Sequence, residues 1–121
     1  MSRRFLVLLL TTLACSDPIA VRDGSLTVTR VPGMLELRNA SDAPIHYFIV
    51  EREAAALVDW FPCAGPSCRA VPPRDIVLVP DAEIIGFSPE AREALVSWWR
   101  SVPDGRGGFE HDLIRALVIP L

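Results

Sequence analysis

Three cysteines, two histidines and three tryptophans carry most of the chemistry available to this chain. Cys63 and Cys68 enclose Ala-Gly-Pro-Ser, and Gly65-Pro66 favours a tight reversal that brings the two sulfurs together. A Cys63–Cys68 disulfide is therefore expected. The spacing is not Cys-x-x-Cys, so a thioredoxin-like redox site has no support. A metal would need His46 or His111 beside the cysteines, and no ligand-spacing motif links them. No metal and no cofactor is expected. His46 lies in the most apolar stretch, on the same face as Phe48 and Val50, where a satisfied, partly buried histidine is the expectation. His111 follows a glycine-rich turn and is expected in solvent. His111, Asp112 and a serine could be drawn as a catalytic set, but any chain of this size offers such triples. No Gly-x-Ser-x-Gly elbow, His-Glu-x-x-His or Asp-rich calcium loop occurs. All twelve basic residues are arginine, which excludes a lysine Schiff base, a P-loop and a Ser-x-x-Lys acylation site. On this reading the chain is not an enzyme.

The tryptophans point to binding. Adjacent strand residues face opposite sides of a sheet. If 95–102 is a strand, one of Trp98 and Trp99 faces the core and the other faces out beside Arg100. Trp98, Trp99 and Arg100 are thus candidate contacts for a protein or a sugar. The structural alternative is that the outward tryptophan covers a sheet edge or packs under a loop. Trp60, close to Cys63, is expected to shield the disulfide.

The elements that must position these residues read as short strands. Ser25–Arg30 alternates and is rich in β-branched residues, Val31-Pro32-Gly33-Met34 fits a type II turn, and Met34–Arg38 alternates again. Asn39–Pro44 is a turn cluster, in which Asn39-Ala40-Ser41 fits a glycosylation sequon by chance. Ile45–Val50 is apolar on both faces, as in a central strand. Ala55–Phe61 reads as the next strand, Val71–Asp75 as a break and Ile76–Val79 as a short buried strand. Ser88-Pro89 looks like a helix start, with serine as N-cap and proline at N1. Leu95–Val102 fits either a helix or a strand. The strongly apolar Leu113–Ile119 needs a partner across the Gly-rich turn, which favours one helical turn at 88–93 followed by a hairpin. The sum is an all-β, immunoglobulin-like β-sandwich of about seven strands, with a small open barrel as the alternative. The immunoglobulin Cys…Trp…Cys spacing is absent, so strand count alone carries this reading.

The first residues give an address. Arg3 and Arg4 precede an apolar run from Phe5 to Ala14, ten residues and too short to cross a bilayer core of roughly 30 Å. With Leu13-Ala14-Cys15 at its end, this leader resembles that of bacterial lipoproteins. The resemblance implies cleavage before Cys15, acylation of that cysteine and a membrane anchor through its acyl chains. An ordinary secretory signal, cut near Ala14 or Ala20, is the alternative. Ser16 follows the cysteine, which by the family's sorting pattern favours the outer membrane. The domain reading is a signal peptide at 1–14, a lipid-anchored tether at 15–23 and one β-sandwich at 24–121.

Removing the leader leaves 107 residues, enough for one core, with ten basic and fifteen acidic residues and a net charge of −5. Such a chain is a poor nucleic-acid binder. With Cys15 lipidated, Cys63 and Cys68 remain as an even pair in an oxidising compartment. The expected function is a non-catalytic interaction or accessory module of the cell envelope, with an envelope protein as partner. A small-ligand or glycan binder using an exposed tryptophan is the alternative, and a hydrolytic enzyme ranks third. A convex surface without a pocket would favour the first. An exposed aromatic cluster in a groove would favour the second. A histidine bonded to an exposed Ser or Asp in a pocket would favour the third.

Overall fold

A computed structural model describes residues 17–121; the leader and Cys15 lie outside the described residues. Ten strands follow one another along the chain. They are β1 (Ala20–Asp23), β2 (Leu26–Val31), β3 (Met34–Asn39), β4 (Ile45–Glu51), β5 (Ala70–Val71), β6 (Ile76–Pro80), β7 (Glu93–Trp99), β8 (Ser101–Pro103), β9 (Phe109–His111) and β10 (Arg115–Pro120). Two single 3-10 turns, Ala54–Leu57 and Asp81–Glu83, interrupt them. One sheet has the order β1-β2-β3-β6 and the other β10-β7-β4-β5, while β8 and β9 form a separate ribbon. Every strand pair is antiparallel. The chain is a small all-β sandwich. The neighbours β3–β6 and β4–β7–β10, linked by crossings from β3 to β4 and from β6 to β7, repeat the B–E and C–F–G adjacency of immunoglobulin domains.

Alternation explains the core. Leu26 and Val28 of β2, Leu35 and Leu37 of β3 and Val79 of β6 point inward from one sheet. Ile45 and Ile49 of β4, Ala94, Val96 and Trp98 of β7, and Leu117 and Ile119 of β10 meet them from the other. Each fully buried aliphatic side chain contributes roughly 1.5–3 kcal/mol. Trp98 satisfies its indole by donating from Nε1 to Asp23 Oδ2 at 2.9 Å, and Arg115 lies over its ring at 5.2 Å. Gly24 permits this closure. Its φ is +55°, and a Cβ there would come within 2.9 Å of the Arg115 guanidinium.

The second sheet is covered on both faces, as the two-sided apolar pattern of 45–50 required. His46, Phe48 and Val50 alternate with the core residues of β4 and lie on the outer face, where Leu95, Ser97 and Trp99 of β7 join them. The connection 52–69 crosses this face. Trp60 stacks on Phe48 with ring centroids 4.5 Å apart and tilts against Trp99 at 5.3 Å.

Four expectations change. Residues 55–61 form no strand: the Glu51 carboxylate accepts the N–H groups of Glu53 and Ala54, which turns the chain out of the sheet into a 3-10 turn. The helical turn expected at 88–93 is a single hydrogen-bonded reversal, with Ala91 N–H donating to the Ser88 carbonyl. The strand already starts at Glu93, because Ala94, Val96 and Trp98 alternate into the core. The hairpin partner is right, since β7 pairs with β10 from Trp98–Arg115 to Glu93–Pro120, but the β8–β9 ribbon extends it. Finally, Ala20–Asp23 pairs with β2, so the sandwich begins before Gly24, inside the span expected as tether.

Candidate functional site

The Cys63–Cys68 disulfide forms, with Cα atoms 5.8 Å apart. It closes a loop that lies over the outer face of the second sheet. Trp99 fastens the loop from below, its Nε1 donating to the Cys63 carbonyl at 2.8 Å. Within the loop Cys68 N–H donates to the Gly65 carbonyl at 3.2 Å. Gly65 has φ +111°, while its Cβ position would make only ordinary contact, 3.6 Å from Phe109. Backbone conformation rather than space calls for glycine here.

His46 is buried beneath this loop and uses both ring nitrogens. Nδ1 lies 3.1 Å from the Arg69 carbonyl and Nε2 lies 2.7 Å from Ser101 Oγ. A carbonyl only accepts, so Nδ1 carries the proton, and in the neutral ring Nε2 accepts from the Ser101 hydroxyl. Ser101 Oγ in turn accepts the Gly65 N–H at 2.8 Å. His46 and Ser101 are 55 residues apart in sequence. They meet because β4 and β7 are neighbours and β8 follows β7 after one residue.

A groove of about 370 Å³ opens beside this network. Ala43, Pro44, Pro72 and Pro73 line it along with Gly65, Pro66 and Cys68 of the loop, and Phe109 of β9 completes it. His46, Ala70 and Ser101 also reach it. Its size falls in the range of ligand clefts. Prolines have no N–H to offer, and the polar groups in the groove bond to one another, so the lining presents chiefly carbon.

Buried Asn39 ties the wall of the groove together. Its Nδ2 donates to the carbonyls of Ala43 (2.7 Å), Val71 (3.1 Å) and Pro72 (3.3 Å), and its Oδ1 accepts the N–H and hydroxyl of Ser41. Next to it Arg74 adopts φ 58° at the turn between β5 and β6. Its Nε donates to Asp42 at 2.9 Å, and that hydrogen bond, followed by the guanidinium charge, holds the Asp42 carboxyl below its ordinary range.

The residues expected from sequence divide as follows. Cys63 and Cys68 are joined, and Cys15 lies outside the described residues. Trp98 and Trp99 do face opposite sides, and each is only 3% exposed: Trp98 lies in the core, and Trp99 packs under the 52–69 crossing, the structural alternative for the outward tryptophan. They are not surface contacts. Arg100 is half-buried, with Nη2 donating to Ser25 Oγ at 3.2 Å and its N–H held by Asp112 Oδ1. Trp60 packs on Phe48 and Trp99, as the outer-face cover. His111 is exposed, its Nδ1 bonded to the Asp112 carbonyl. Among the described residues no three His, Cys, Asp or Glu side chains gather as a metal site, and no helix is long and apolar enough to cross a membrane. Ser101, Phe109 and the groove prolines had no sequence signal, because loops distant in sequence build the groove. Comparison with protein families, curated proteins and solved structures returned no match.

Proposed function

We propose that this chain is an exported envelope lipoprotein whose sandwich acts as an interaction module, and that the groove between the disulfide loop and β9 is its binding surface. The leader and Cys15 support the anchor, with the outer membrane favoured by Ser16. The observation that carries the binding site is the groove itself: concave, lined by four prolines and walled by half-exposed Phe109. With no free hydrogen-bond donors along the prolines, it selects an apolar group on an envelope partner. A sugar fits it less well, since sugar hydroxyls need polar partners and no tryptophan lines it.

A solution probe tests the site. The apolar dye anilinonaphthalene sulfonate is expected to bind the folded, oxidised domain with a rise in fluorescence. Ala43→Trp, which fills the groove from its exposed wall, is expected to abolish that rise with an unchanged far-UV circular dichroism spectrum. An equal rise in the variant would place the apolar site elsewhere.

A further inference from the structure

The groove has a polar floor that simple apolar binding does not use. Ser101 Oγ donates to His46 Nε2 at 2.7 Å, and the Arg69 carbonyl holds the other ring nitrogen at 3.1 Å. That carbonyl fixes the tautomer in which Nε2 is the free base. A hydroxyl, a base within hydrogen-bond reach and a third group orienting the base form the constellation of an activated nucleophile. Ser101 is half-buried and reaches the groove, whereas His46 is buried behind it. The oxygen has two lone pairs. One accepts the Gly65 N–H at 2.8 Å, and the other remains for bond formation.

We infer that Ser101 is a nucleophile and His46 its general base, acting on an ester whose apolar acyl part lies in the groove. Ser101 Oγ attacks the ester carbonyl carbon while its proton passes to His46 Nε2. The C–O bond to the alcohol breaks, and the departing oxygen takes the proton from Nε2, leaving an acyl-serine. Water then attacks the acyl carbon, gives a proton to Nε2, and Oγ recovers it as the acid leaves. One ester and one water become one acid and one alcohol. The imidazolium that forms between these transfers faces the Arg69 carbonyl oxygen, which stabilises it. Gly65 N–H, held by the disulfide loop, orients Oγ through the lone pair that does not attack. The sequence held no sign of this pair because the two residues lie on different strands, each without a surrounding motif.

The inference rests on the groove as the binding surface, and its test separates the two. The folded protein is treated with an alkyl fluorophosphonate, which forms a P–O bond to an activated serine and releases fluoride. The expected result is one adduct per chain, mapped by peptide mass to Ser101, formed more slowly in D2O because the hydroxyl proton moves in that step. His46→Gln is expected to lose the adduct. No adduct at Ser101, or equal rates in H2O and D2O on the native chain, overturns the inference without recourse to a variant that might misfold. Dye binding that Ala43→Trp abolishes, with Ser101 unlabelled, leaves the groove and removes the nucleophile. Labelling of Ser101 without dye binding keeps the nucleophile and removes the apolar groove.

Discussion

At the scale of single residues, Asn39 shows how far a local reading falls short. In the sequence Asn39-Ala40-Ser41 is a sequon and a turn. In the fold Asn39 is 1% exposed and its amide joins three carbonyls from two separate segments. Asn39→Ala would strip the buried Val71 carbonyl of this donor and free the Ser41 N–H, while the Pro72 carbonyl keeps Asp75 N–H and the Ala43 carbonyl keeps the Ser41 hydroxyl within reach. The expected cost is about 3 kcal/mol, read as a lower urea midpoint at unchanged slope; a loss under about 0.5 kcal/mol would show that water replaces the amide. Tyr47 gives a second residue-scale expectation. Burial raises its phenol pKa, opposed by the charge of Arg69. A raised folded pKa favours the neutral phenol, so its contribution is fully present below about pH 10, the ordinary value. It is lost as pH rises through the raised value. Absorbance titration is expected to show a higher midpoint folded than in urea, and coincident curves would contradict the burial argument.

At the scale of elements, the 52–69 crossing separates what the sequence shows from what it hides. The β2–β3 hairpin was legible because Pro32-Gly33 sits between two alternating runs, and the β7–β10 pairing because an apolar last strand needs a partner. The crossing was not legible. Ala55–Phe61 has strand-like composition, yet Leu57 and Phe61 are 88% and 92% exposed, while Trp60 turns inward to stack on Phe48. Periodicity records which side chains alternate, not which layer will cover them. That is also why the sequence left open whether the outward tryptophan of the Trp98–Trp99 pair meets solvent or packs under a loop. The disulfide should hold this crossing rather than the sandwich. Replacing Cys63 and Cys68 together by serine is expected to cost about 2 kcal/mol for so short a loop. The far-UV spectrum should persist while the near-UV signal of Trp60 and Trp99 falls. Loss of both signals together would make the loop part of the folding core.

At the scale of the whole molecule, the strand order sets the direction of the groove. β1 runs from Ala20, opposite Thr29, to Asp23, opposite Leu26, and Leu26 pairs with Asn39 beside the groove wall. The groove therefore lies at the end of the sandwich away from Ala20. Four residues lie between Cys15 and Ala20, so five Cα–Cα steps give a reach of at most about 18 Å. An anchor at Cys15 would keep the Ala20 end near the bilayer and turn the groove toward partners in the aqueous space. Cys15→Ser is expected to abolish incorporation of labelled palmitate and to release the chain from membranes. Equal labelling of both forms would remove the anchor while leaving the fold argument intact.

The central claim is that the groove is the surface through which this protein meets its partner. It is tested most directly by photo-crosslinking in cells that export the full chain, with benzoylphenylalanine placed at Phe109 or, as a control, at Leu78, which is exposed on the outer face of the other sheet. An adduct of one defined mass is expected from position 109, none from position 78, and loss of the adduct when Ala43→Trp fills the groove. Equal adducts from both positions, or an adduct from position 109 that survives Ala43→Trp, would contradict it.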